Sequence, residues 1–174
     1  YQAMTVDDDG TGLFSTGRRH GDALQISDFD PSRPGLELYL VSENEGDTVR
    51  FQTPGAGLHD ARTGEVLWSH SAGVDISHGL VADIDPRHPG AEVWGGRTAL
   101  RTVKGQEIGR APRMWDWVIW WDGDLLREIY AGQRVYKWDW EEAEEKEIFS
   151  GVREEPRRGR RRWSGLRPNL AGDL

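Results

Sequence analysis

Apolar positions along the chain fall in short runs that alternate with polar residues or cluster β-branched and aromatic side chains, and Gly, Pro, Asp or Asn bounds each run. LELYLV (36–41), TVRFQ (48–52), EVLWSH (65–70), AEVWGG (91–96), WVIWW (117–121), LLREIY (125–130) and RVYKWDW (134–140) read as strands. EEAEEKE (141–147) alone has the composition of a helix, but it lacks an apolar face and is expected to be an exposed acidic turn or loop. The pattern predicts an all-β chain of many short strands.

An internal repeat sharpens that expectation. Asp28-Phe-Asp30-Pro31-Ser-Arg-Pro34-Gly35-Leu-Glu37 recurs as Asp83-Ile-Asp85-Pro86-Arg-His-Pro89-Gly90-Ala-Glu92, with every shared residue offset by 55. Both copies follow a His-Gly pair, His20-Gly21 and His78-Gly79, and both lead into a strand. Between them, Asp60-Ala-Arg-Thr-Gly64-Glu-Val-Leu-Trp68 reads as a turn and an aromatic-ended strand. A period of about 50 residues suits four-stranded propeller blades, and such propellers close with about 4–8 blades. A chain of 174 residues holds about three such units, so the expected architecture is a partial β-propeller, a fragment of a larger one.

Composition removes several classes. There is no cysteine, which excludes a disulfide scaffold and a cysteine-ligated zinc site. No stretch approaches the roughly 20 apolar residues of a membrane-spanning helix. The net charge of −8 divides unevenly. Residues 1–152 carry 15 Lys and Arg against 27 Asp and Glu, whereas 153–174 carry 7 against 3. An acidic body argues against nucleic acid as a partner. The basic run REEPRRGRRR (153–162) lacks apolar periodicity and reads as loop or disordered chain, which separates blades over 1–152 from an atypical segment over 153–174.

The repeat also carries candidate chemistry. Two aspartates at i and i+2 with a carboxylate at i+9 can converge on calcium, which takes 6–8 oxygen ligands in flexible geometry. Asp28, Asp30 and Glu37, with Asp83, Asp85 and Glu92, are therefore candidate Ca2+ ligands; the alternative is that the aspartates satisfy turn amides while the glutamates face water. The segment around Asp7-Asp-Asp9-Gly10 is not an EF-hand, because its first and twelfth positions would be Thr5 and Thr16. No H-E-x-x-H, G-x-S-x-G or P-loop sequence occurs. In Met114-Trp-Asp-Trp-Val-Ile-Trp-Trp121, strand alternation puts Trp115, Trp117, Ile119 and Trp121 on one face and Trp120 on the other. Core packing is expected for most of these indoles, with one or two left to line a sugar groove.

At this point the motifs resemble a known family, the rhamnogalacturonan lyases of polysaccharide lyase family 11. DDDGTGLFSTG (7–17), HGDAL (20–24), DFDPSRPGLE (28–37), HDARTGEVLW (59–68), ADIDPRHPGAEVW (82–94) and WWDGDLLRE (120–128) follow the order of that family's catalytic-domain landmarks, over about residues 1–150. The resemblance implies an eight-bladed β-propeller that binds several calcium ions and is secreted to degrade pectin. It also implies β-elimination at the rhamnose–galacturonate backbone of rhamnogalacturonan I. By the same resemblance His20 and Asp22 sit in the substrate cleft, with roles in substrate binding and proton transfer, and His78 takes a cleft position where the family usually has arginine.

The tail departs from the family. After FSGV (149–152) the family continues with a loop of the type S-N-N-G-T-K whose lysine is a leading catalytic candidate, but here no lysine follows Lys146. An arginine such as Arg162 or Arg167 could substitute as a cation but not as a base, because guanidinium stays protonated. The expected function is thus part of a secreted rhamnogalacturonan endolyase. Its rivals are a non-catalytic calcium-dependent glycan-binding propeller or degenerate lyase, and a purely structural interaction propeller. Open blade edges would expose unpaired strands and invite self-association.

Overall fold

The computed structural model describes residues 3–18, 20–42, 54–70, 76–96 and 98–151. The predicted strand TVRFQ and the segment 153–174 lie outside them.

The described chain is all-β. A hairpin of β1 (Met4–Val6) and β2 (Gly12–Ser15) comes first. Three four-stranded antiparallel sheets follow, each a meander of consecutive strands. The first holds β3 (Ala23–Ser27), β4 (Glu37–Val41), β5 (Ala56–Asp60) and β6 (Val66–His70); the second holds β7 (Gly79–Ala82), β8 (Glu92–Gly95), β9 (Leu100–Thr102) and β10 (Glu107–Gly109). The third holds β11 (Trp117–Ile119), β12 (Glu128–Ala131), β13 (Arg134–Asp139) and β14 (Glu144–Ser150).

The sheets pack face to face, and the two-residue alternation of each strand decides which neighbour a side chain meets. Val81, Val93 and Val103 join Tyr39, Val41, Ala56 and Leu58 in one core cluster. The alternate positions Leu80, Ala82, Trp94 and Leu100 join Ile129 and Trp138 in the next. The second sheet is therefore buried on both faces, and every residue of β7 and β8 is buried. Neighbouring sheets are also joined by hydrogen bonds. Trp68 Nε1 donates to the Val103 carbonyl at 2.6 Å, and Trp94 Nε1 donates to that of Met114 at 3.0 Å. The Trp68 ring lies flat on Gly105, whose φ is +82° and where a Cβ would fall 2.9 Å from the indole. Only glycine combines that backbone with that contact.

Two sequence expectations change, and a third feature is placed. EEAEEKE is not a loop throughout, since Glu144–Glu147 belong to β14, an outer edge strand paired along its length with β13. Its charges are matched by ion pairs of Lys146 with Asp139, Arg134 with Glu147, and Arg110 with Glu145, so charge protects the edge instead of excluding a strand. Trp120 and Trp121 lie beyond β11 in the following turn, and with Trp117 they are about half exposed. Trp94 and Trp138 are buried, and Trp68, Trp115 and Trp140 pack partly buried against the core. Finally, the acidic turns keep their offset of 55 in strand register, because Ser27 pairs with Glu37 as Ala82 pairs with Glu92. By that register His78 corresponds to Ala23, so the two His-Gly pairs are not equivalent positions.

His70, at the end of β6, stacks on Trp68 with ring centroids 6.1 Å apart. Burial, with the nearby Arg101 and Arg18 charges, holds its imidazole down at a pKa of about 4. A histidine whose folded pKa lies below its unfolded one stabilises the fold above about pH 6.5, and that contribution disappears as pH falls towards 4. Stability should drop across this window by up to about 1.4 kcal/mol per pH unit. Denaturant titrations of the wild type and of His70→Gln check it: the substitution should flatten this part of the profile, and an unchanged slope would refute the assignment.

Candidate functional site

Each four-stranded sheet has the same acidic device at the turn between its first and second strands. The second strand begins with a buried glutamate: Glu37, Glu92 or Glu128, each at most 1% exposed. Glu37 Oε2 accepts the backbone N–H of Phe29 at 2.8 Å and of Asp30 at 3.0 Å. Glu92 Oε2 accepts those of Ile84 and Asp85, both at 2.9 Å. Glu128 Oε2 accepts that of Trp121 at 2.8 Å. The carboxylate closes the turn by supplying an acceptor to amides that water does not reach.

What neutralises each carboxylate differs. In the first sheet Arg33 reaches Glu37 Oε1 at 3.8 Å and Asp60 Oδ2 at 3.3 Å, and Asp60 is the residue paired with Glu37 on β5. Asp30 is buried and accepts from Ser32, while Asp28 is exposed. In the second sheet the residue paired with Glu92 is Thr102. Glu92 Oε1, Asp83 Oδ1 and Thr102 Oγ1 are all buried without a hydrogen-bond partner, while Arg87 is committed to Asp85 at 2.6 Å. Burial, reinforced by Asp83 and Asp85 and only partly offset by the two amides, pushes Glu92 up to a pKa of about 8. Burial and Asp85 also raise Asp83. In the third sheet Asp122, Asp124 and Glu128 bring a carboxylate oxygen each within 4.8 Å of one another, a group that can hold a metal ion. Among the described residues this is the set that comes so close; the carboxylates of the two repeat copies do not. These three carboxylates were not among the expected ligands. The signal was present as Asp122-Gly-Asp124 ahead of Glu128 and an apolar strand, on a shorter spacing than the repeat.

The nominated cleft residues stand elsewhere. His20 and Asp22 precede β3, with Nδ1 and Oδ1 3.7 Å apart and side chains 50% and 26% exposed. His78 precedes β7 on the next sheet, exposed, with Nδ1 2.9 Å from Ser77 Oγ. The chain approaches itself closely here: a Cβ on Gly21 would fall 2.1 Å from the Val41 carbonyl oxygen, so glycine is obligatory between His20 and Asp22. These residues lie where the first strand starts, and the acidic turns lie where it ends. The two sets therefore occupy opposite ends of the sheets.

Residues 1–174 match the family profile described as rhamnogalacturonan lyase family 11, C-terminal domain. The chain belongs to this family. It is 41% identical to the rhamnogalacturonan endolyase YesW of Bacillus subtilis, over 99% of this chain and 27% of that protein. It is also 41% identical to the rhamnogalacturonan exolyase YesX of the same organism, over 99% of this chain and 30% of that protein. The structure of the Bacillus licheniformis rhamnogalacturonan lyase PL11 superposes with a TM-score of 0.78 at 45% identity, covering 86% of this chain and 25% of that one. The chain thus spans under a third of the length of the family 11 lyases it matches.

The glutamate clamp makes a direct prediction. Glu37→Ala leaves two turn amides without an acceptor and should cost about 3 kcal/mol or more, at about 1.5–3 kcal/mol per charge-assisted bond. Glu37→Gln keeps an acceptor oxygen and should cost less. Urea midpoints measure both, and a loss below about 1 kcal/mol for the alanine variant would show that the turn does not depend on the clamp.

Proposed function

We propose that this chain is part of the catalytic β-propeller of a secreted rhamnogalacturonan lyase, its sheets three of eight blades. The enzyme cleaves rhamnogalacturonan I internally, by β-elimination between rhamnose and galacturonate. The observation that carries this reading is the exposed His20–Asp22 pair on the glycine-fixed start of β3, in a chain 41% identical over 99% of its length to an endolyase and an exolyase. Secretion follows from the size of the substrate, a polymer met outside the cell.

Elimination requires removal of the galacturonate C5 proton and protonation of the departing glycosidic oxygen. His20 is the side chain proposed to move a proton at Nε2, with its Nδ1 face turned to Asp22. Asp22 orients that ring and binds substrate. His78, on the adjacent sheet, contacts the uronate, where an imidazole neutralises a carboxylate less fully than the family's arginine would. Bound calcium would supply positive charge, and Asp83, Asp85 and Glu92 are the residues proposed to hold it; Asp28, Asp30 and Glu37 are a weaker set because Arg33 already faces Glu37. These turns lie at the far end from His20, so calcium there stabilises the sheet and does not meet the sugar. A non-catalytic glycan-binding module is a second reading, favoured by the absence of any lysine after Lys146. In the isolated chain the exposed apolar residues of the β1–β2 hairpin, Met4, Val6 and Leu13, favour self-association.

Mixing the protein with rhamnogalacturonan I and following the unsaturated-uronate absorbance tests the activity. His20→Ala should lower kcat/KM by about 100-fold or more, the usual worth of general acid–base catalysis. Binding without any rise in absorbance would replace the lyase with the binding module, and release of only end-derived products would replace internal cleavage with the exo mode. Calcium at about 100 times its Kd should stabilise the fold by about 2.7 kcal/mol. Chelation should reverse the shift and Glu92→Gln should blunt it, both read as Tm.

A further inference from the structure

The third sheet carries its own cation. Lys137 on β13 falls opposite Glu128 by continuation of the β12–β13 register, the position that Thr102 takes opposite Glu92 and Asp60 opposite Glu37. Its ammonium donates to Asp122 and Asp124 and lies 3.5 Å from Glu128 Oε1, a fully buried oxygen without a hydrogen-bond partner. The same three carboxylates form the group close enough to hold a metal ion. One charge on Lys137 therefore sits where a cation would have to sit.

The turn has changed around that lysine. Register places Trp120 where the other sheets have Asp28 and Asp83, since Ile119 pairs with Glu128 as Ser27 pairs with Glu37 and Ala82 with Glu92. The aspartate of that position is lost, Asp124 restores the count of three carboxylates, and one ammonium is gained. The replaced position is also covered, because Arg127 stacks on the Trp120 ring at 3.7 Å. In the second sheet the opposite holds: the aspartate is kept, threonine stands opposite the glutamate, and three buried oxygens lack partners.

We infer that Lys137 is the resident cation of the third sheet's acidic turn, standing in for a divalent ion and excluding one, so that removing its amine creates a divalent-cation site from Asp122, Asp124 and Glu128. An ammonium and a hard metal ion compete for the same oxygens, and a tethered lysine has no dissociation to lose. The comparison with the second sheet rests on the calcium reading proposed above, but the exclusion by Lys137 does not.

Calcium stoichiometry of the full chain, measured by equilibrium dialysis and calorimetry, tests the inference. Lys137→Met should bind one more calcium ion than the wild type, and adding Asp122→Asn and Asp124→Asn should remove it again. In the wild-type background the same two asparagine substitutions should leave the stoichiometry unchanged; loss of an ion there would show that the turn binds metal despite the lysine and would overturn the proposal. Unchanged stoichiometry in a folded Lys137→Met protein would overturn it equally. If that variant does not fold, the Asp122→Asn/Asp124→Asn pair decides alone. Glu92→Gln reports separately on the second sheet: failure to lose an ion there removes the calcium reading of that turn and leaves the Lys137 result standing.

Discussion

A carboxylate buried at the first residue of the second strand sets the geometry of all three sheets. A turn between antiparallel strands leaves amide groups that must find acceptors, and a turn pressed against a neighbouring sheet cannot take them from water. Glu37, Glu92 and Glu128 solve this from within the strand, where the pleat already aims the side chain into the turn. The solution imposes a second requirement, because a charge removed from water must be neutralised or protonated. Arginine meets that requirement in the first sheet and lysine in the third. The second sheet has no such cation, and its glutamate is pushed towards the protonated form.

Stacking follows from the same turns. The Phe29 carbonyl accepts from the Ala91 amide at 3.0 Å, and the Asp83 carbonyl accepts from the Arg127 amide at 2.8 Å, so the first and second acidic turns are each bound to the residue just before the next sheet's glutamate. Closure of one turn thereby fixes the start of the neighbouring one. At the outer strands the joint is different, with Trp68 seated on Gly105 and Phe14 against Gly64, where a Cβ would lie 2.5 Å from the ring. Polar stitches at one end and an aromatic on glycine at the rim together restrict the rotation of sheet on sheet.

Much of this was legible in residues with a local cause. The apolar runs marked β4, β6, β8, β12 and β13 to within a few residues, and the Asp-x-Asp-Pro repeat located two of the three turns. The third turn was missed because one residue fewer separates its strands and a tryptophan replaces the first aspartate. β14 was missed because an edge strand can be almost wholly charged, a composition that local pattern assigns to a loop. The two His-Gly pairs stand 58 residues apart against the repeat's 55, and strand pairing accordingly puts them at different positions. That Arg33, Thr102 and Lys137 are the residues facing the glutamates could not be read from the sequence at all. Arg33 and Lys137 reach their glutamates, and Thr102 comes to stand opposite Glu92, through turn closure or strand register, and register is a property of the pair of strands rather than of either sequence.

The separation of the two ends carries a mechanistic consequence. β3 starts beside His20 and Asp22 and stops at the turn closed by Glu37, so one short strand joins the proposed proton-transfer pair to an acidic clamp. The strand is rigid because β4 pairs with it over its whole length. Ion binding or charge neutralisation at the acidic end can hold that strand in place, but it cannot screen a uronate at the other. A catalytic site built this way needs its own positive charge at the histidine end, supplied by His78 or by residues from elsewhere in the longer lyases, while the buried glutamates and their cations keep the scaffold on which that site is mounted.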